Sequence, residues 1–172
     1  MERAAMIGSM TILNTIGEPD ASIQYADRPT VKVVIKSDDK ILLLNEGLLP
    51  GGGVDPGESN YEAIARELKE ELGVTVKDME EIGTVVQYRN LLEKKYIIYG
   101  YAANLEGTGA PTDPQDEGEE QFTTRWLPIE DTLILVAQSI DKAKLKPMDD
   151  DTNQGKLYNL MTTYNFLNTL VD

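Results

Sequence analysis

Three consecutive glycines behind a proline, Pro50-Gly51-Gly52-Gly53, lead within a few residues into a helix whose start and stop are both legible in the chain. No other stretch restricts the fold as much. Glycine reaches backbone angles closed to other residues and lets the main chain approach a ligand closely. Ser59 is placed as an N-cap, and Glu62, three residues on, can reach back to it in an S-x-x-E capping box. Such a cap contributes roughly 0.5–2 kcal/mol. Gly73 supplies the usual C-terminal stop. The spacing predicts a helix over Asn60 to Leu72.

At about 3.6 residues per turn, Tyr61, Ile64, Ala65, Leu68 and Leu72 fall on one apolar stripe. Glu67, Glu70 and Glu71 fall roughly opposite, at spacings that bring their side chains together. Ala63 projects toward that same side. Arg66 stands beside Glu70 and points back toward the loop that carries Glu58. A Glu-rich helix face is most often simply solvated. Partly shielded from water it is costly, because at an effective dielectric of about 20 two like charges ~5 Å apart repel by roughly 3 kcal/mol. A divalent cation reverses that sign, and carboxylate plus backbone oxygen is a donor set that suits magnesium.

The order of residues says more than an acidic face does. Gly52, Glu58, Arg66, Glu67, Leu68, Glu70, Glu71, Gly73 and Val74 fill every fixed position of the pattern G-x5-E-x7-R-E-U-x-E-E-x-G-U, with U aliphatic. The stretch closely resembles the Nudix box of the Nudix hydrolases, a long and specific motif. The resemblance implies a Nudix-like α/β/α sandwich with a mixed sheet, where pattern alone supports only α+β or α/β. It implies a Mg2+-dependent pyrophosphohydrolase, with Mn2+ as the other candidate ion. The bond cut is then a phosphoanhydride in a nucleoside diphosphate linked to another moiety, nucleoside triphosphates included.

On that resemblance, Glu67, Glu70 and Glu71 are the carboxylate ligands of the metal and the carbonyl of Gly52 is a backbone ligand. Glu58 and Arg66 are the ion pair that locks loop to helix. Glu67 is the first candidate for the general base. A later loop in this family often delivers another Glu; Glu120 is the best match and the alternative base, with Glu117 and Glu119 as rivals. A non-catalytic nucleotide-binding or regulatory module on the same fold is the competing interpretation. Such modules tend to lose box carboxylates, and here none is missing. Isopentenyl diphosphate isomerase carries a related fold but needs an active-site cysteine, which this chain lacks.

Composition narrows the chemistry from another side. The 172 residues include no Cys and no His, which excludes disulfides, thiolate nucleophiles and a Ser-His-Asp triad. Acid–base work falls to carboxylates, Lys and Tyr. Sixteen basic against thirty acidic residues give a net charge of −14. That disfavours long nucleic acids, whose binding rests on phosphate neutralisation. A small phosphorylated nucleotide-type substrate remains open, since a bound cation supplies local positive charge. No apolar run approaches the ~20 residues of a membrane helix, and Met1 to Met10 lacks a recognisable signal peptide. A cytoplasmic location is therefore the default expectation.

Length predicts one domain, taken as residues 29–172 behind an extension over residues 1–28. Within the extension, Met10 to Gly17 suits an extra strand; the segment can pack on the domain, serve a homodimer or fray. Val31 to Ile35, interrupted only by Lys32, and Ile41 to Leu44 flank a turn and read as a hairpin. Asn45 to Leu49 then form a shorter connection than many Nudix proteins have, and Gly47 stands where many carry an aromatic. Ile82 to Arg89 and Tyr96 to Leu105 read as strands joined at Asn90 to Lys95. Tyr96, Tyr99 and Tyr101 are ordinary strand residues first and a base-stacking surface second. Gly107 to Glu120 is a Pro/Gly/acid-rich loop, and Thr123 to Pro128 is a last strand. Ile129 to Ile140 and Lys156 to Val171 show helical spacing, with Lys142 to Asp151 as a polar link. Asp149, Asp151 and Asn153 imitate an EF-hand loop, but Gln154 replaces its glycine and Leu160 its closing Glu.

Overall fold

The computed structural model describes residues 10–112 and 122–171. Among these, seven strands form one open mixed sheet: β1 (Ile12–Ile16), β2 (Ala26–Ser37), β3 (Lys40–Leu44), β4 (Gly51–Gly53), β5 (Val74–Arg89), β6 (Lys94–Thr108) and β7 (Thr124–Pro128). Their order is β1-β5-β6-β2-β3-β7, with β4 also on β2. β1 runs parallel to β5 and β2 parallel to β6, and the remaining pairs are antiparallel. One edge of β2 is shared. β3 pairs with its end, Lys36↔Ile41 and Ser37↔Lys40, while β4 pairs with Thr30, Val31 and Lys32.

Alternation along β2 divides the core in two, as a period of two residues requires. Val31, Val33 and Ile35 pack with Leu42, Ala63, Ile64, Leu68 and Tyr99 under α1 (Asn60–Glu71). Val34 packs on the other face with Ile41, Leu43, Val136 and Phe166, beneath α2 (Ile129–Ala143) and α3 (Asp151–Asn168). The result is an α/β sandwich around a mixed sheet. No helix among the described residues is long and apolar enough to cross a membrane.

Several boundaries differ from the sequence reading. β5 begins at Val74, directly behind Gly73, not at Ile82. Its first half shifts register at Thr75/Val76, Lys77/Glu80 and Glu81/Gly83, and such irregularities erase the alternation that reveals a strand. α3 begins at Asp151, not Lys156, because Asp150 caps it by accepting from the N–H of Asn153. The acidic run that imitates an ion loop is thus a helix start. On α1, Ala65 and Tyr61 are exposed while Ala63 is buried beside Ile64 and Leu68. The buried arc is therefore rotated toward the carboxylates, and Glu67 faces the sheet edge. Tyr99 and Tyr101 are buried under α1, and Tyr96 packs against the opposite core. Ile12–Ile16 joins the same sheet, and β2 already starts at Ala26.

Candidate active site

The first turn of α1 is fixed three ways. Ser59 Oγ accepts from the Glu62 N–H at 3.1 Å, and Glu62 Oε2 accepts from the Ser59 N–H at 2.8 Å. Asn60 Nδ2 donates to the Tyr101 hydroxyl at 2.9 Å, tying the helix start to the sheet. Gly73, at φ +67°, ends the helix in the left-handed region that glycine occupies without strain.

The glycines form β4, and its ladder decides which carbonyl faces the helix. The Val33 N–H donates to Pro50 O and the Val54 N–H to Pro29 O, each at 3.0 Å. Antiparallel ladders alternate bonded and non-bonded pairs, so Val31 and Gly52 between them form a bonded pair. The carbonyl of Gly52, expected as a backbone ligand, is consequently turned toward Val31. Gly51 and Gly53 face outward instead. Gly53 O is taken by Arg66 Nη2 at 2.9 Å, which leaves Gly51 with the open outward carbonyl. Both glycines are sterically required. At Gly51, φ +140°, a Cβ would lie 2.0 Å from Val31 O; at Gly52 it would lie 2.5 Å from the Glu67 carboxyl carbon.

Arg66 joins this strand to the helix. Its Nε donates to Glu58 Oε2 at 2.8 Å and its Nη2 to Glu58 Oε1 at 2.9 Å. Hydrogen bonds from Arg66, then from the Asp55 N–H, hold the Glu58 carboxyl down at about 2. The same bonds raise Arg66 above the ordinary arginine value. Arg66 Nη1 also reaches Glu67 Oε1 at 2.9 Å and, more loosely, Glu70 Oε2 at 3.4 Å.

Glu71 is half-buried and faces Glu67, Lys32 and the Gly51 N–H. Burial pushes its carboxyl up to about 7, helped by the charge of Glu67 and opposed by Lys32 and Gly51. Lys32 donates to Leu49 O at 3.2 Å. Burial draws its ammonium below the ordinary lysine value, while Glu71 and Glu67 pull it back up. Lys32 escaped the sequence reading as a site residue, although its lone interruption of a β-branched run was the available signal.

Of the three box carboxylates, the fold brings Glu67 and Glu71 together and turns Glu70 toward Arg66. No three acidic groups among the described residues stand close enough to hold an ion unaided. Glu120, with Glu117 and Glu119, lies outside the described residues. The donors present nevertheless suit a hard divalent cation: all are oxygen, and two half-buried carboxyls crowd together beside an outward carbonyl. A divalent cation bound there would favour the charged form of Glu71 that burial now disfavours.

The family model of the NUDIX domain matches residues 26–149. This chain belongs to the Nudix family. Among Nudix proteins it is 34% identical over 83 residues to Nudix hydrolase 6 of Arabidopsis thaliana, covering 48% of this chain and 28% of that one. It is 32% identical over 100 residues to a Bacillus subtilis (strain 168) protein provisionally named an 8-oxo-dGTP diphosphatase, covering 55% and 62%. The chain thus spans less than two thirds of either relative's length. A NUDIX hydrolase structure from Nitrosomonas europaea aligns with TM-score 0.51 and 24% identity over 65% of this chain and 79% of that one, showing the same fold. Nudix hydrolases are generally pyrophosphohydrolases that act on small nucleotide-type substrates with a divalent metal ion.

Proposed function

We propose that this Nudix protein is a magnesium-dependent pyrophosphohydrolase that cleaves a phosphoanhydride bond in a nucleoside diphosphate linked to another moiety. Nucleoside triphosphates are the first substrates to try, a choice supported by the name of the Bacillus relative. The observation that carries this reading is the side-by-side placing of Glu67 and Glu71, both half-buried, against Gly51 and Gly52 on a strand tied into the sheet.

Glu67, Glu70, Glu71 and the Gly51 carbonyl, in place of the Gly52 carbonyl, would hold Mg2+ or Mn2+. The ion would neutralise phosphate oxygens and lower the pKa of a water. Arg66 keeps Glu67 Oε1 and Gly53 O in register, so helix and strand present their oxygens as one unit. Glu70 is the adjustable member, because its 3.4 Å contact is the longest hydrogen bond that Arg66 makes. Glu67 takes the proton of the attacking water, through the oxygen that Arg66 does not engage; Glu120 is the alternative base. Lys32 places a fixed positive charge beside the phosphate chain. Attack is in line, with no covalent enzyme intermediate.

Glu70→Gln tests the assignment. It should abolish magnesium-dependent turnover of a nucleoside triphosphate panel, read as products by mass, while the thermal midpoint holds. Full activity in this variant would sink the proposal.

A further inference from the structure

Positive charge collects at one end of the sheet face that α3 covers. β2 and β6 pair without a register shift, and so do β5 and β6 from Gly83 to Arg89. Side chains therefore alternate strictly there. Val34 and Ile98 lie in the core under α2 and α3, so Arg28, Thr30 and Lys32 continue the Val34 row, and Lys94 and Tyr96 continue that of Ile98. Arg28 stands opposite Tyr96, and Lys94 opposite Arg89, on strands about 4.8 Å apart. No acidic residue occurs from Arg28 to Lys32, from Lys94 to Ile98 or from Val85 to Arg89. In a chain of net charge −14 that is a local reversal of sign. Arg28, Lys94 and Arg89 have no carboxylate at ion-pair distance among the described residues.

Arg89 anchors this patch. It is only 7% exposed and lies over the Tyr96 ring at 4.7 Å. Gly155 leaves it room, since a Cβ there would collide with Nη1. Its Nε donates to Gln87 Oε1 at 2.8 Å and its Nη2 to Asn159 Oδ1 at 3.3 Å. Nη1 makes no hydrogen bond among the described residues. Asp151, one turn before Gly155 on α3, is exposed and stays beyond ion-pair distance. Burying a charge unpaired is costly, and an anionic ligand would supply the missing partner.

This end of the sheet is separate from the cavity of about 670 Å³ bounded by Leu48, Arg125 and Asn159, whose walls include none of Arg28, Arg89, Lys94 and Tyr96. Along β2, Arg28 is four residues from Lys32, about 13 Å at the rise of a strand, and Lys32 pairs with Gly51. Long arginine and lysine stems reach across much of that gap. An anion held here sits one sugar away from phosphates held at Gly51 and Lys32.

We propose that Arg28, Lys94 and Arg89 form a second anion site, which takes a phosphoryl group carried on the substrate's sugar, away from the diphosphate that is cut. The proposal rests on the hydrolase reading above and names the substrate class: nucleotide conjugates whose ribose bears a phosphate of its own. Guanidinium groups match phosphate oxygens in paired, charge-assisted hydrogen bonds. A surface of one sign also raises the local concentration of such an anion.

The test compares coenzyme A with dephospho-coenzyme A and NADPH with NADH. Each pair differs by one ribose phosphate, and the two pairs place it on different hydroxyls. Turnover with magnesium, read as products by mass, and thermal-shift titration are both measured. Wild type should favour the phosphorylated member of at least one pair by about tenfold or more, the size of charge-assisted hydrogen bonds, mainly through KM. Arg28→Ala and Lys94→Ala should each lower that preference about threefold or more, and the double variant should bring it close to unity. KM for the unphosphorylated member should hold, which general structural damage would not allow. Arg28 is exposed, so its single variant keeps the test decisive if the double variant does not fold. No preference within either pair in both readouts, or a preference unchanged in the folded variants, overturns the proposal. Preference in binding without turnover supports the second anion site and counts against hydrolysis alone.

Discussion

Arg66 meets Glu58 in a two-bond fork, Nε to Oε2 at 2.8 Å and Nη2 to Oε1 at 2.9 Å. The same guanidinium holds Gly53 O on the strand and Glu67 on the helix. Lysine keeps the charge but not the fork. Arg66→Lys is expected to fold and to lose about 10–100-fold in kcat/KM, the usual cost of removing a group that orients metal ligands. Steady-state kinetics beside a thermal melt check this; unchanged kcat/KM would mean the fork positions nothing. Because the Glu58 value is depressed to about 2 from 4.5, its contribution to stability is present above pH 4.5 and lost as pH falls through about 2. Glu58→Gln should remove that part of the acid transition.

Gly51 and Gly52 should fail differently. A Cβ at Gly51 meets backbone, Val31 O, at a positive φ, so Gly51→Ala is expected to cost about 1–3 kcal/mol or more in a denaturant titration. A Cβ at Gly52 meets the end of the Glu67 side chain, which can move. Gly52→Ala should keep most of its stability and lose at least about tenfold in magnesium affinity. Equal thermal midpoints for the two variants would contradict this contrast.

Glu71 gives the metal-free protein a pH dependence of the opposite sign to Glu58. Its folded value, about 7, lies above 4.5. Its contribution is therefore full below pH 4.5 and is lost as pH rises through about 7. A cation needs the carboxylate, so magnesium affinity should climb through the same window, by about tenfold between pH 6 and pH 8. Calorimetric titration at the two values reads this. Glu71→Gln should leave weak affinity with a flat profile.

Gly155 is predicted to be a structural hot point far from the box. Alanine there intrudes on Arg89 Nη1, and overpacking of a buried site costs about 1–3 kcal/mol. The melt of Gly155→Ala should drop accordingly, and Asn159, held by Arg89, should lose order. A thermal midpoint equal to wild type would show that Arg89 has room to spare.

What could be read from the chain was local and periodic. Ser59, Glu62 and Gly73 act through neighbours three or four residues away, so the helix was legible, and so was the motif that its spacing completes. The β2–β3 hairpin was legible for the same reason. The first half of β5 was not, because its bulges and solvent-facing residues hide the alternation. Ala63 and Ala65 exchanged roles because the helix rolls to seat Glu67 against Gly52, a contact no wheel diagram contains. The choice of Gly51 over Gly52 depends on which pairs of the β2–β4 ladder are bonded, and Asn159 depends on Arg89, 70 positions earlier. Both are long-range relations that a linear pattern does not encode.

The glycine segment being a strand, not a loop, has one more consequence. Main-chain atoms stitched to the middle of a long central strand share that strand's stiffness, so thermal agitation of surface turns leaves their position nearly untouched. The cavity bounded by Leu48, Arg125 and Asn159 is lined instead by side chains from a short connection, an edge strand and the last helix. Divergence among descendants of this chain should therefore accumulate in what is gripped, while the place where the bond is cut stays put.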